Sequence, residues 1–295
     1  MKSIILGTDW WDDCDDAVAL RILTNYVQAG KVELLGIGIN ACMPDSVASL
    51  RGFLEADGIR NIPIGLDCAA TDYGDKKLTY QFRLARELCP NGSNDDAMDA
   101  VRLYRKLLVE ADEPVEIIEI GFLQVIANLL KTESDDLSTL NGLELVKRKV
   151  RKVWAMAGKW DEDGGRENNF CRNERSRTAG AYVCAHCPVP ITFLGFEIGV
   201  GIRTGCRLNH SDHLYRVLLD HGSAEQGRHS WDPMTVLMAL IGDEVKAGYE
   251  TVRGYATVDV NTGANHFRQD SDGPHCYVIK AKEDEYYQRK IEKFL

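Results

Sequence analysis

The chain has 295 residues, with 35 Lys and Arg against 45 Asp and Glu, a formal net charge of −10 and 44% hydrophobic residues. This is the composition of a globular protein with a sizeable core, and its acidity argues against nucleic acid or an anionic membrane surface as a partner. No stretch approaches the roughly 20 apolar residues of a membrane span, the N-terminal apolar run is too short for a signal peptide, and nine scattered cysteines read as reduced thiols of a cytoplasmic protein.

Residues 3–7 read as a short, fully buried strand. A loop follows with five Asp in eight residues: Asp9, Asp12, Asp13, Asp15 and Asp16. Residues 16–28 then carry apolar side chains at helical spacing. A second buried strand is predicted over 32–39, a helix over 46–55 and a short strand over 62–64. A long amphipathic helix is predicted over 95–111, a strand over 115–120 and a helix over 124–131. Next come a strand over 152–156, a helix over 178–185, a strand over 191–195 and an apolar helix over 234–241. The last third reads as strands over 255–260 and 276–279, followed by a charged helix. The one CxxC, Cys184 to Cys187, lies where a helix gives way to a strand before Pro188 and Pro190. No second pair sits at zinc-site spacing, so these thiols are read as buried or incidental.

Alternating strands and helices predict one α/β domain over 1–295, a mostly parallel, doubly wound, Rossmann-like sheet. In such sheets the ligand crevice lies at the carboxyl ends of the strands. Asp9, Gly121 and Gly158 each follow a predicted strand and would face one rim. The acidic loop has two readings. It is a solvated turn in which Asp15 or Asp16 caps the helix, or it binds a hard cation that offsets the repulsion between its carboxylates. Oxygen-only donors favour Ca²⁺ or Mg²⁺ over Zn²⁺. An EF-hand is excluded, because the sixth loop position is Cys14 and the twelfth is Leu20.

Four segments, in order, resemble the inosine–uridine preferring nucleoside hydrolase family. Ile4 to Asp9 with Asp15-Asp16-Ala17-Val18-Ala19 resembles that family's strand running into D-x-D-x-x-x-D-D-A-x-A. Ile120-Gly121-Phe122-Leu123-Gln124-Val125-Ile126-Ala127 resembles T-G-x-L-T-N-I-A. Met156-Ala157-Gly158 with Glu167-Asn168-Asn169 resembles M-G-G … E-F-N, and Trp231-Asp232-Pro233 resembles H-D-P at the start of a helix. The chain also departs from the pattern. The family's first Asp is Gly7, and the loop between Asp9 and Asp15 is two residues longer and carries Trp10 and Trp11. Aligning by the strand puts Asp9 in the place of the second Asp, whereas counting back from Asp16 would put Trp11 there. The strand alignment is preferred, because a strand buried on both faces resists a register slip. The Asn after the family's second strand has Asn40 or Met43 nearby.

The resemblance implies a hydrolase of the N-glycosidic bond of ribonucleosides, giving base and ribose in purine or pyrimidine salvage. It implies Ca²⁺ held by Asp9, Asp16, Asp232 and the main-chain oxygen of Ile120. Asp9 would be the general base. Asp15, Met156, Glu167 and Asn169 would bind the sugar side of the substrate. It also implies a homo-oligomer, dimer or tetramer. Trp231 replaces the family's proton donor and cannot act as a general acid; His229 is the nearby substitute. Trp10, Trp11, Trp160 and Trp231 all fall in predicted site loops, and some of them are predicted to sandwich an aromatic base. Two other readings compete. An aspartate-nucleophile phosphatase also places an Asp after its first strand, but Thr8-Asp9-Trp10-Trp11 does not fit its D-x-D-x-T/V pattern. A non-catalytic, calcium-dependent binder of a ribosylated ligand would account for the lost His and the rebuilt loop.

Overall fold

The fold is that of a computed structural model describing residues 1–73 and 80–295. Its centre is a sheet of β1 (Lys2–Thr8), β2 (Val32–Ile39), β3 (Ile64–Leu66), β4 (Met98–Asp99), β5 (Val115–Glu119), β6 (Val150–Met156) and β7 (Ile191–Leu194). A two-stranded ribbon, β8 (Arg203–Thr204) with β9 (Arg228–His229), lies outside it. β10 (Tyr249–Val258), β11 (Asn265–Gln269) and β12 (His275–Lys280) complete the sheet. The spatial order is β11-β10-β12-β7-β6-β5-β1-β2-β3-β4. The strands from β12 to β4 pair in parallel, and β10 is antiparallel to both its neighbours.

Alternation along the central strands divides the core into two layers. Ile4, Leu6, Ile118, Trp154 and Met156 face one layer, with the helices Asp15–Gln28, Ser46–Ala56 and Trp231–Ile241. Ile5, Ile117, Val153 and Ala155 face the other, with Ala100–Glu110, Gln124–Lys131 and Glu174–His186. Both faces are therefore covered, as a parallel sheet requires.

The topology fixes where a site can lie. From β1 the chain builds outward through β2, β3 and β4, then returns to β5 on the other side of β1 and builds outward again. The reversal falls between β1 and β5. The crevice beyond the carboxyl ends of these two strands, where Asp9 and Ile120 lie, is the switch point at which such sheets bind ligands.

Several elements differ from the sequence expectations. The helix predicted over 95–111 is a short 3₁₀ turn, Asn94–Asp96, then β4, then Ala100–Glu110. Ser93 caps the first and Asp99 the second, so capping breaks what the apolar periodicity joins. The Glu174–His186 helix starts four residues early, behind an Asn173–Ser176 capping box. Helices Tyr80–Leu88, Gly142–Lys149 and His213–His221 and strand β11 were not anticipated. All nine cysteines are free. Among the described residues, no helix is long and apolar enough to cross a membrane.

Candidate functional site

Two helix N-termini converge at the switch point. Asp15 and Asp16 are the first two residues of Asp15–Gln28, and Asp232 is the second residue of Trp231–Ile241. Each helix dipole favours a carboxylate at this position. The helices are also tied together, because the main-chain N–H of Asp232 donates to Asp15 Oδ2 at 3.1 Å. Asp15 is thus a helix cap, but for the second helix, where Ser230 makes no side-chain cap. Asp16 Oδ1 accepts from the Thr8 hydroxyl and, at 3.4 Å, from the Trp10 amide.

These side chains line a cavity of about 250 Å³. Asp9, Trp11, Asp12, Asp13, Asp15, Asp16, Ile120, Met156, Glu167, Asn169, Trp231 and Asp232 all contribute, so residues distant in sequence meet at one rim. Glu167 caps the short helix Asn168–Cys171; it accepts from the Asn169 amide at 2.8 Å and the Gly158 amide at 2.9 Å. The Asn169 side-chain amide donates to the Met156 carbonyl at 2.9 Å. Asn40 and Met43 stay outside the cavity.

The electrostatics are those of crowded, dry carboxylates. Burial pushes Asp9 well above the ordinary range, and the charges of Asp16 and Asp13 add to it. Burial and Asp13 do the same to Asp15, and burial and Asp15 to Asp232. Burial raises Asp16 to about 7 against the Thr8 hydrogen bond, and raises Glu167 to about 7. Asp13 goes the other way. Burial pushes it up, but the Arg228 guanidinium, with hydrogen bonds from Asp15 and the Cys14 amide, holds it below the ordinary value. Arg228 pairs with Asp13 and lies 3.9 Å from Asp15 Oδ1. The two cavity arginines, Arg172 and Arg228, do not balance seven lining carboxylates. Oxygen donors of Asp15, Asp16 and Asp232 lie within 4.8 Å of one another. Asp9 lines the same cavity but falls outside that trio. The donor set is all oxygen, buried and short of positive charge, which fits a hard divalent cation.

The tryptophans divide. Trp11 and Trp231 line the cavity; Trp231 stacks on Phe196 at 5.3 Å and donates its indole N–H to the Phe196 carbonyl at 2.7 Å. Trp10 and Trp160, expected against a base, do not reach the cavity. Trp10 is fully buried, bonds Ser49 Oγ at 2.8 Å and packs edge-on against Phe53 and Tyr80. Its φ of 43° turns the chain so that the indole enters the core, a conformation that costs about 1–3 kcal/mol and that the buried ring must hold. Trp160 stacks on Tyr277 and donates to the Ala157 carbonyl at 2.9 Å. His229, the substitute acid, is engaged with Arg203 at 2.9 Å, and among the described residues no histidine lines the cavity. Sequence reasoning missed Arg228, Arg172 and Phe196 as lining residues. Phe196 was within reach of the strand-end rule, since it lies two residues beyond β7. Arg228 carried no local signal.

No family model matches the chain, and no curated protein matches it. Solved structures do. An inosine–uridine preferring nucleoside hydrolase from Bacillus anthracis superposes with a TM-score of 0.67 at 16% identity, covering 100% of both chains. A purine-preferring ribonucleoside hydrolase from Gardnerella vaginalis gives 0.68 at 15% identity, covering 99% of each. The type III effector protein XopQ, complexed with adenosine diphosphate ribose, gives 0.71 at 13% identity, covering 99% of this chain and 93% of that one. The fold is that of the nucleoside hydrolases.

Proposed function

We propose that this chain is a divergent nucleoside hydrolase, cleaving the N-glycosidic bond of ribonucleosides to base and ribose. The observation that carries the reading is the meeting of Asp9, Asp15, Asp16, Asp232, Glu167 and Asn169 in one cavity at the switch point of this fold. Asp9, Asp16, Asp232 and the Ile120 carbonyl would hold Ca²⁺, with Asp15 close enough to share in it. When bound, the ion would acidify a water and engage sugar hydroxyls.

The chain's own residues do the rest. Asp9 accepts the proton of the attacking water. Asp15, Glu167 and Asn169 bond the sugar hydroxyls, and those contacts tighten as positive charge develops on the ring. Trp11 and Trp231, the latter stacked on Phe196, line the cavity and would meet a base there. The glycosidic electron pair leaves with the base, and stacking eases its protonation by solvent. The substrate is a small-molecule nucleoside, and a homo-oligomeric assembly is part of the proposal.

A second reading is a calcium-dependent binder of a ribosylated ligand without catalysis. The absence of a histidine among the described cavity residues favours it, as does the adenosine diphosphate ribose bound by XopQ. Incubation with inosine, adenosine, uridine and adenosine diphosphate ribose, followed by chromatography of free base, separates the two. Base released from a nucleoside supports the hydrolase; calorimetric binding with no base released supports the binder.

A further inference from the structure

Beneath the cavity lies a carboxylate that the proposed chemistry does not use. Glu119, the last residue of β5, is fully buried. Its Oε1 accepts from Asn40 Nδ2 at 2.8 Å and from the Gly121 amide at 3.1 Å. Asn40 in turn accepts from the Phe122 amide at 2.9 Å, and its own amide donates to the Thr8 carbonyl at 2.9 Å. The ends of β1, β2 and β5 are therefore joined through one glutamate and one asparagine. Fit is tight throughout. A Cβ on Gly7 would lie 2.1 Å from Glu119 Oε2, and one on Gly121 would lie 2.3 Å from the Asp9 amide. Only glycines let the carboxylate and the turn after β5 come this close.

Glu119 Oε2 is buried with no hydrogen-bond partner. A buried, half-satisfied carboxylate is an expensive way to hold a fold together, and apolar side chains in place of such a group and its partners are often neutral or stabilising. What an apolar side chain cannot do is accept the Asn40 and Gly121 N–H groups and so fix the turn 120–122 against Asp9.

We propose that Glu119 is a positioning residue: through Asn40 and Gly121 it sets the turn 120–122, whose first residue, Ile120, lines the cavity with Asp9. It touches no substrate. Its link to cation binding rests on the function proposed above, but the position of the turn does not.

The test measures hydrogen exchange at the Gly121 and Phe122 amides, and Ca²⁺ affinity by calorimetry, in wild type, Glu119→Gln, Glu119→Leu and Tyr104→Phe. Gln keeps an acceptor, whereas Leu keeps the volume but not the acceptor. Tyr104→Phe removes a buried hydroxyl bonded to the Leu6 carbonyl, outside the Asn40–Glu119–Gly121 hydrogen bonds, and controls for simple loss of stability. The expected result is at least tenfold faster exchange and at least tenfold weaker Ca²⁺ binding in Glu119→Leu, with Glu119→Gln and Tyr104→Phe within threefold of wild type. Unchanged exchange at 121 and 122 in Glu119→Leu overturns the proposal whatever calcium does, and so does equal acceleration in Tyr104→Phe. Wild type that binds no Ca²⁺ counts against the cation site alone; the exchange data still decide the role of Glu119.

Discussion

Replacing Asp16 with Asn should stabilise the metal-free protein while destroying its response to calcium. Asp16 is 1% exposed and held at about 7 against an ordinary value of 3.8. Because the folded value is the higher one, folding takes up a proton at this site. The destabilising contribution is absent below about pH 4, grows as pH rises, and is complete above about pH 7. At roughly 1.4 kcal/mol per pH unit, it reaches about 4 kcal/mol at pH 8 and about 1–2 kcal/mol at pH 5. Asn is neutral at both and still accepts from the Thr8 hydroxyl and the Trp10 amide. Thermal melts in chelator should therefore show Asp16→Asn above wild type by about 5–10 °C at pH 8, and by much less at pH 5. Excess calcium should raise wild type, by about 2.7 kcal/mol at a hundredfold excess over Kd, and leave the variant unmoved. A variant that melts at or below wild type in chelator at pH 8 would refute the claim that the carboxylates strain the empty cluster.

The wild type carries the same logic: its melting temperature in chelator should fall between pH 5 and pH 8, and the stabilisation by calcium should grow over that interval, because the ligands must lose protons to bind. Flat calcium-induced shifts in a melting series would contradict this. Trp231→Ala should weaken purine nucleoside binding by about 1–2 kcal/mol, roughly 5- to 30-fold by calorimetry, and move the melting temperature little. Trp10→Ala should do the reverse, losing about 3–5 kcal/mol of stability through a core cavity. If the two variants have like effects, the division of the tryptophans is wrong. Arg228→Met should leave Asp13 and Asp15 without their cation and lower stability in chelator at pH 8 by about 1–3 kcal/mol; an unchanged denaturant midpoint would show that the pair is idle.

The parts of the fold that follow a single period were legible in the sequence. The strand over 32–39 and the helix over 124–131 match their observed bounds, because apolar spacing alone decides them. The 95–111 segment failed because Ser93 and Asp99 cap two separate elements within one apolar pattern. At the site, residues at strand ends could be placed by topology, which brings Asp9, Ile120 and Met156 to one rim without knowledge of any contact. Side-chain direction could not be placed that way. Trp10 and Trp11 are adjacent and chemically alike, yet a positive φ at Trp10 sends one indole into the core and leaves the other at the cavity. Arg228 and Glu119 gave no signal either, since their partners are 215 and 79 residues away.

The central claim is that Asp9 drives hydrolysis from within the carboxylate cluster. Base release from inosine by calcium-loaded wild type and Asp9→Asn, with binding measured in parallel, tests it most directly. The account predicts that wild type releases base with an equal amount of ribose. Asp9→Asn should be slower by about 10²–10⁴-fold while still binding the nucleoside. Equal rates in the two proteins, or no release by wild type that binds both calcium and inosine, would contradict it.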